Sequence, residues 1–244
     1  MMTDMEEKKA KLIERRKEEI LSAARRIFAK YGYRRTTIDQ VTAYLDVGKG
    51  TVYRYFKDKK ALFLAVFEQG MGELRQAIRS NVEPVVNPKD KVCAAIRTYF
   101  EFFETNRGLI EILMQVRSEF KDDYRRVSLA LYEDYIVKIQ QNLREGIRTG
   151  VFRELDVERT ADAISATLQG VLQGFYIRHF GPEKKNLAET EKEIATGTDY
   201  VKYEKMGNGA GQRRELLTDR TGAVTALLLE GLLKKDSKET FQRT

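Results

Sequence analysis

The chain has little of what most enzyme and metal sites are built from. Among its 244 residues there is one cysteine, Cys93, and one histidine, His179. A lone cysteine forms no intrachain disulfide, which fits a reducing compartment and predicts a cytoplasmic protein. One cysteine with one histidine cannot supply the ligand set of a common structural zinc site, so no metal and no cofactor is expected. No GxSxG turn, GK[S/T] phosphate loop or HExxH helix is present. The chemistries those patterns carry therefore have no support, and the chain does not read as an enzyme. Proline is scarce too, at three residues. With few alternating strand-like runs, that scarcity predicts an all-α fold. No apolar run reaches the roughly 18 residues of a membrane-spanning helix, which predicts a soluble chain. The N-terminal stretch MMTDMEEKKAKLIERRKEE lacks the apolar centre of a signal peptide.

What the chain does have is charge, unevenly placed. It carries 44 basic and 37 acidic side chains, a net charge of +7. Residues 25–60 hold ten basic and three acidic side chains, an excess of seven that equals the excess of the whole chain. A basic excess confined to one segment is what a polyanion-binding surface requires.

The same segment contains two short helical patterns meeting at a tight turn. Ile38, Val41 and Leu45 recur at helical spacing and can pack one face of a first helix. Asp46-Val47-Gly48 interrupts the pattern, and Lys49-Gly50-Thr51-Val52-Tyr53-Arg54-Tyr55-Phe56 resumes it. Val52 and Phe56 share the inner face, which leaves Lys49, Gly50, Thr51 and Tyr53 elsewhere. This is the layout of a helix-turn-helix whose second helix enters a DNA major groove.

Around it, a first helix is predicted from Glu6 to Tyr31, ending at Gly32, with Ile20, Ala23, Ala24, Ile27 and Phe28 as its buried stripe. A connecting helix follows over 59–81, and Pro84 and Pro88 bracket a break. Helical patterns resume over 89–105, 108–120, 122–149, 156–180 and 219–235, and Gly150 is a stop signal. Apolar density falls between residues 181 and 218, and the glycine cluster at 207–211 reads as a linker. This stretch is read as an insertion.

The pieces AxxxFxxxGYxxTT and KGTVYRYFKDKxxL, in that order within Ile20–Val66, resemble the TetR/AcrR family of transcriptional regulators. The resemblance implies an N-terminal three-helix helix-turn-helix DNA-binding domain over residues 1–60, including the charged extension. It implies a C-terminal helical ligand-binding and dimerisation domain over 61–244. The function implied is a ligand-responsive repressor that binds a palindromic operator in double-stranded DNA as a homodimer. Its effector would release DNA through the helix at 59–81. A helical ligand-sequestering or protein-docking module that no longer reads DNA is the alternative.

Residue by residue, the resemblance places Thr36, Thr37, Gly48, Lys49, Gly50, Thr51, Tyr53, Arg54, Tyr55 and Lys59 at the DNA. Thr37 would cap the second helix beside a phosphate, which suits a hydroxyl at a helix N-terminus. Lys49, Gly50 and Thr51 would open the recognition helix, and Lys59 would reach a phosphate. Two residues depart from the family pattern: Asp46 stands where glycine is usual, and Gly48 where serine is usual. Aspartate tolerates the left-handed conformation such a turn needs. Gly48 has no hydroxyl for a phosphate or a cap.

The resemblance further implies an effector pocket among the middle helices. Phe100, Phe103, Ile110, Met114, Phe120, Tyr132, Tyr135 and Phe175 are candidates for its lining, with Arg117, Gln169, Gln173 and His179 as polar groups. A small, mainly hydrophobic effector is expected, anionic if Arg117 points inward. For the dimer, a small-residue stripe of Ala163, Ala166, Thr167, Gly170 and Gly174 would pack with Ala223, Ala226, Leu227 and Gly231.

Overall fold

In the computed structural model, which describes residues 4–179 and 216–233, α1 (Asp4–Arg35) is interrupted at Gly32, where φ is 75° and ψ is 166°. That backbone region is open essentially to glycine alone, so the helix ends where the sequence places its stop. The freed Gly32 carbonyl is taken up at once, by the Thr36 N–H at 3.2 Å and the Thr36 hydroxyl at 2.8 Å. Ile20, Ala23, Ala24, Ile27 and Phe28 are all buried, as their spacing requires. Residues 5–15, in the turns before that stripe, are exposed.

Two short helices follow, α2 (Ile38–Leu45) and α3 (Lys49–Tyr53). Thr37 caps α2 in a reciprocal box. Its hydroxyl accepts from the Gln40 N–H at 3.4 Å, and the Gln40 side chain accepts from the Thr37 N–H at 2.8 Å. Asp46 adopts the left-handed conformation, φ 52° and ψ 50°, and closes α2. Gly48 precedes α3 with no side-chain cap. Val41, Val52 and Phe56 bury the inner faces. The recognition helix is shorter than the pattern of residues 49–56 predicts, because α helix gives way to a turn after Tyr53.

Asp58 starts α4 (Lys59–Val82) by accepting from the Ala61 N–H at 2.8 Å. This helix serves both halves of the molecule. Phe63 packs edge-on against Phe28, with ring centroids 4.8 Å apart, while Met71 and Leu74, further along, line a cavity. Asn87 caps α5 (Pro88–Thr105), with Pro88 in the first turn, where its missing N–H costs nothing. Then come α6 (Arg107–Glu119), α7 (Lys121–Arg148) and α8 (Val157–His179), and α7 ends just before Gly150 at φ 73°. A 3-10 turn (Leu217–Arg220) leads into α9 (Thr221–Leu232). This last helix packs against α5 and is tied to the α7–α8 connection by Arg153, whose Nε donates to the Gly231 carbonyl at 2.7 Å. The described residues are thus helical, with one isolated bridge between Phe152 and Leu233. The insertion expected over 181–218 lies outside the described residues up to 215, as does its glycine cluster.

Candidate DNA-binding surface and effector cavity

The α2–α3 unit turns Thr37, Gly48, Lys49, Gly50, Tyr53 and Arg54 outward together, with Thr51 half-buried beside them. A Cβ added at Gly48 or Gly50 would meet nothing within 4 Å, so nothing inside the protein requires glycine there. Tyr53 is 48% exposed, its ring available at the surface. Lys49 pairs with Asp39 at 2.8 Å, and that hydrogen bond holds its ammonium above the usual lysine range. Tyr55 is half-buried against the core, with the Arg54 guanidinium 5.3 Å from its ring centre.

Two residues expected at the DNA are used elsewhere. Thr36 is 0% exposed, and its hydroxyl belongs to the Gly32 carbonyl. The break in α1 needs that donor, so Thr36 is a structural residue and Thr37 alone of the pair faces out. Lys59 donates to the carbonyls of Tyr33 and Thr36 at 2.9 Å each and of Arg34 at 3.4 Å, with the Tyr33 ring centre 4.5 Å away. Desolvation by burial pushes its ammonium below the usual range. Its donors are committed to the end of α1, where the macrodipole favours a cation, and the expected phosphate contact gives way to this role.

The basic excess of residues 25–60 divides in the same manner. Arg25 binds Glu73 at 2.7 Å and Asn106 at 2.8 Å, Arg34 binds Glu119 at 2.8 Å, and Lys60 binds Asp123 at 2.8 Å. These cations hold the helix-turn-helix against α4, α6 and α7. Lys49, Arg54 and Lys57 are left exposed on the α3 side.

Between α4, α5, α6, α7 and α8 lies a cavity of about 770 Å³. Its wall is mostly apolar, with Met71, Leu74, Phe103, Leu113, Met114 and Leu172 among the lining residues. Arg75, Arg117, Lys121 and Arg125 are exposed cations on its lining, and Asp122 is the acidic group beside them. Lys138 also lines it but is paired with Glu83 at 2.9 Å. Ser165 is buried and accepts from the Gln169 side chain at 3.2 Å.

Of the lining residues expected, Phe103, Met114, Arg117, Tyr135 and Gln169 are on this wall. Phe100, Ile110 and Phe175 are not: each is 0% exposed within the solid core. Phe120 packs instead on Tyr33, with centroids 4.8 Å apart. Gln173 sits in a neighbouring surface depression and accepts from Arg117 at 3.3 Å. His179 stacks near Phe175 at the end of α8. Tyr132 belongs to α7, but its side chain lies outside the described residues. Sequence reasoning missed Tyr99, one position from Phe100. On a helix that step turns a side chain by about 100°, from cavity to core. It also missed Met71, Leu74 and Arg75 as lining residues, because their helix was read as a connector that passes on the effector's signal.

Besides α4, α6 touches both sites. Leu113, Met114 and Arg117 of α6 line the cavity. Gln115, on its other side, accepts the Tyr33 N–H at 2.6 Å beside the Gly32 break and donates to Glu111 at 2.8 Å. Phe120, which follows α6, carries the Tyr33 ring and lies 5.9 Å from Phe63.

Most of the residues expected at a dimer interface are exposed on the single chain. Ala163, Ala166, Gly170, Ala223 and Ala226 are exposed, as are Ile177 and Leu227 at 65% each. Thr167 and Gly174 are half-buried, the former with its hydroxyl on the Ala163 carbonyl at 2.8 Å.

Residues 20–66 match the family described as bacterial regulatory proteins, tetR family, and residues 85–175 match the tetracyclin repressor-like C-terminal domain. The uncharacterized HTH-type transcriptional regulator YhgD of Bacillus subtilis (strain 168) is 31% identical over 146 residues, 60% of this chain and 76% of that one. The fatty acid metabolism regulator protein of the same organism is 23% identical over 151 residues, 62% and 78% of the two chains. The crystal structure of the regulator FadR from Bacillus subtilis in complex with stearoyl-CoA superposes with a TM-score of 0.61 at 19% identity, covering 88% of this chain and 98% of that one. Among the described residues no helix is long and apolar enough to cross a membrane. Helix-turn-helix, helical effector domain and kinship agree: the chain belongs to the TetR family of transcriptional regulators, proteins that bind operator DNA as dimers and answer to small-molecule effectors, and it is not an enzyme.

Proposed function

We propose that this regulator is a repressor whose effector is an amphiphile, with an apolar chain in the cavity and an anionic end among Arg75, Arg117, Lys121 and Arg125. Acyl-coenzyme A thioesters fit this description, and the stearoyl-CoA bound by the related FadR supports the choice. Residues 1–60 form the DNA-reading unit, and residues from 61 onward form the effector and dimer unit. Thr37, Gly48, Lys49, Gly50, Thr51, Tyr53 and Arg54 make the DNA contacts. Lys49 exchanges Asp39 for the DNA, and Tyr53 lies along the groove. Two recognition helices, one per protomer, read half-sites one helical turn apart. The dimer forms through the exposed faces of α8 and α9, and the protein works in the cytoplasm.

The observation that carries the reading is α6, with cavity-lining residues on one side and a grip on the Gly32 break on the other. A ligand that favours one position of α6 biases the orientation of the reading unit. Such coupling requires unequal effector affinity for the two states. The test begins with selecting bound sequences from a random duplex pool. The selected operator is then titrated at several salt concentrations, with and without stearoyl-CoA. Affinity should fall linearly in log–log form with salt, and stearoyl-CoA should weaken it. Failure to select any sequence would favour a ligand-sequestering module over a regulator of transcription.

A further inference from the structure

The cavity contains three phenols that no described residue engages through the hydroxyl. Tyr99 of α5 and Tyr124 and Tyr135 of α7 all line it, and Tyr99 feels the other two electrostatically as neighbours. None of the three hydroxyls makes a hydrogen bond to the described residues. Tyr99 is nevertheless only 9% exposed. None of the three hydroxyls is among the buried atoms without a partner in the described residues, so they open onto the cavity, where an occupant can take them up. Burial pushes the Tyr99 and Tyr135 hydroxyls up from the ordinary tyrosine value, so both are neutral donors at neutral pH.

Arg75, Arg117, Lys121 and Arg125 of the lining are exposed, whereas Tyr99 is buried and packs on Phe103 with ring centroids 5.0 Å apart. No cation is among the groups acting electrostatically on Tyr99 or Tyr135. Exposed cations suit an anion that keeps part of its hydration. Neutral phenols in an apolar wall suit an uncharged acceptor, since a carboxylate placed among them without a cation would lose its hydration uncompensated.

We infer that Tyr99 and Tyr135 form a hydrogen-bonding subsite for a neutral carbonyl-type oxygen on the effector's apolar part, distinct from the anionic end at the exposed cations. This rests on the reading of the cavity as the effector site. It defines the effector class more narrowly: an ester, thioester or ketone on an apolar chain, joined to an anionic group. Tyr124 stands beside the pair and completes the phenol cluster.

The test uses two matched pairs of probes, measured by calorimetry on the full chain. Stearoyl-CoA is compared with S-octadecyl-coenzyme A, the thioether that lacks only the carbonyl. A 1-acyl lysophosphatidate is compared with its 1-O-alkyl ether. The wild type should bind the carbonyl member of at least one pair roughly three- to tenfold tighter, the worth of one or two hydrogen bonds. Tyr99→Phe with Tyr135→Phe should abolish that preference while leaving ether or thioether affinity unchanged. Without ligand, the same variant should melt no lower than the wild type, because no described residue bonds the hydroxyls it loses. A preference confined to the lysophosphatidate pair would remove the coenzyme A reading and leave the phenol subsite standing. Equal affinities within both pairs, or a preference that survives in the double variant, would overturn the inference. Binding of none of the four probes would overturn both.

Discussion

Replacing Gln115 with methionine isolates the link between cavity and DNA-reading unit. Methionine keeps the length and bulk of the side chain and removes the acceptor that holds the Tyr33 N–H at 2.6 Å. It also removes the donor to Glu111. Tyr33 is half-buried, so its amide would lose a partner that water only partly replaces, at a cost of about 1–2 kcal/mol. For a chain of this size that corresponds to a melting temperature lower by roughly 2–8 °C. Of the other ties at this junction, Arg34 with Glu119 has an arginine side chain that is 80% exposed. Exposed pairs of that kind contribute about 0–1 kcal/mol. Gln115 is therefore the stronger of these two ties at the Gly32 break. We expect the ratio of operator dissociation constants with and without stearoyl-CoA to shrink by about five- to tenfold in Gln115→Met, equivalent to roughly 1–1.4 kcal/mol. Operator affinity without effector should change less. The assay is fluorescence anisotropy of a labelled operator, paired with a thermal melt. If the melting temperature drops as calculated while the ratio stays at its wild-type value, Gln115 is a structural clamp only. The proposed route through α6 would then be wrong.

Three further outcomes are expected. Arg54→Ala should lower the slope of log affinity against log salt by about one and weaken specific and non-specific binding alike; an unchanged slope would remove Arg54 from the phosphate contacts. Gly170→Arg should convert the dimer to monomers in sedimentation equilibrium without lowering protomer stability, since a Cβ there meets nothing within 4 Å in the single chain; a persistent dimer would place the interface elsewhere. In a spectroscopic titration, Tyr99 and Tyr135 should stay protonated above the ordinary tyrosine range near pH 10 while exposed tyrosines ionise. Because their folded-state values are raised, their contribution to stability is intact below about pH 10 and declines as pH rises further. All tyrosines ionising together in the folded protein would contradict the burial.

Much of the fold was legible because its punctuation is local. Gly32, Thr37, Asp46, Pro88 and Gly150 each act within a few residues of themselves, through a positive φ, a cap or a fixed φ. The stripe of Ile20, Ala23, Ala24, Ile27 and Phe28 repeats at the helical period and needs no knowledge of its partner. The recognition helix was less legible in length, because its end after Tyr53 depends on how Phe56 and the start of α4 pack.

What the sequence by itself determined was thus the helices, their order, the helix-turn-helix and the kinship it carries. Only the tertiary structure decided which of two adjacent threonines faces outward, because Thr36 answers a carbonyl exposed by the break at Gly32. Only it divided the basic residues, since the partners of Arg25, Arg34 and Lys60 lie 48, 85 and 63 positions away, at Glu73, Glu119 and Asp123. It also set Tyr99 on the cavity and Phe100 in the core. Helical spacing fixes which side chains share a face. What that face meets is fixed by packing between distant segments, and in this protein that packing determines which residues bind DNA, which enclose the cavity and which join the two.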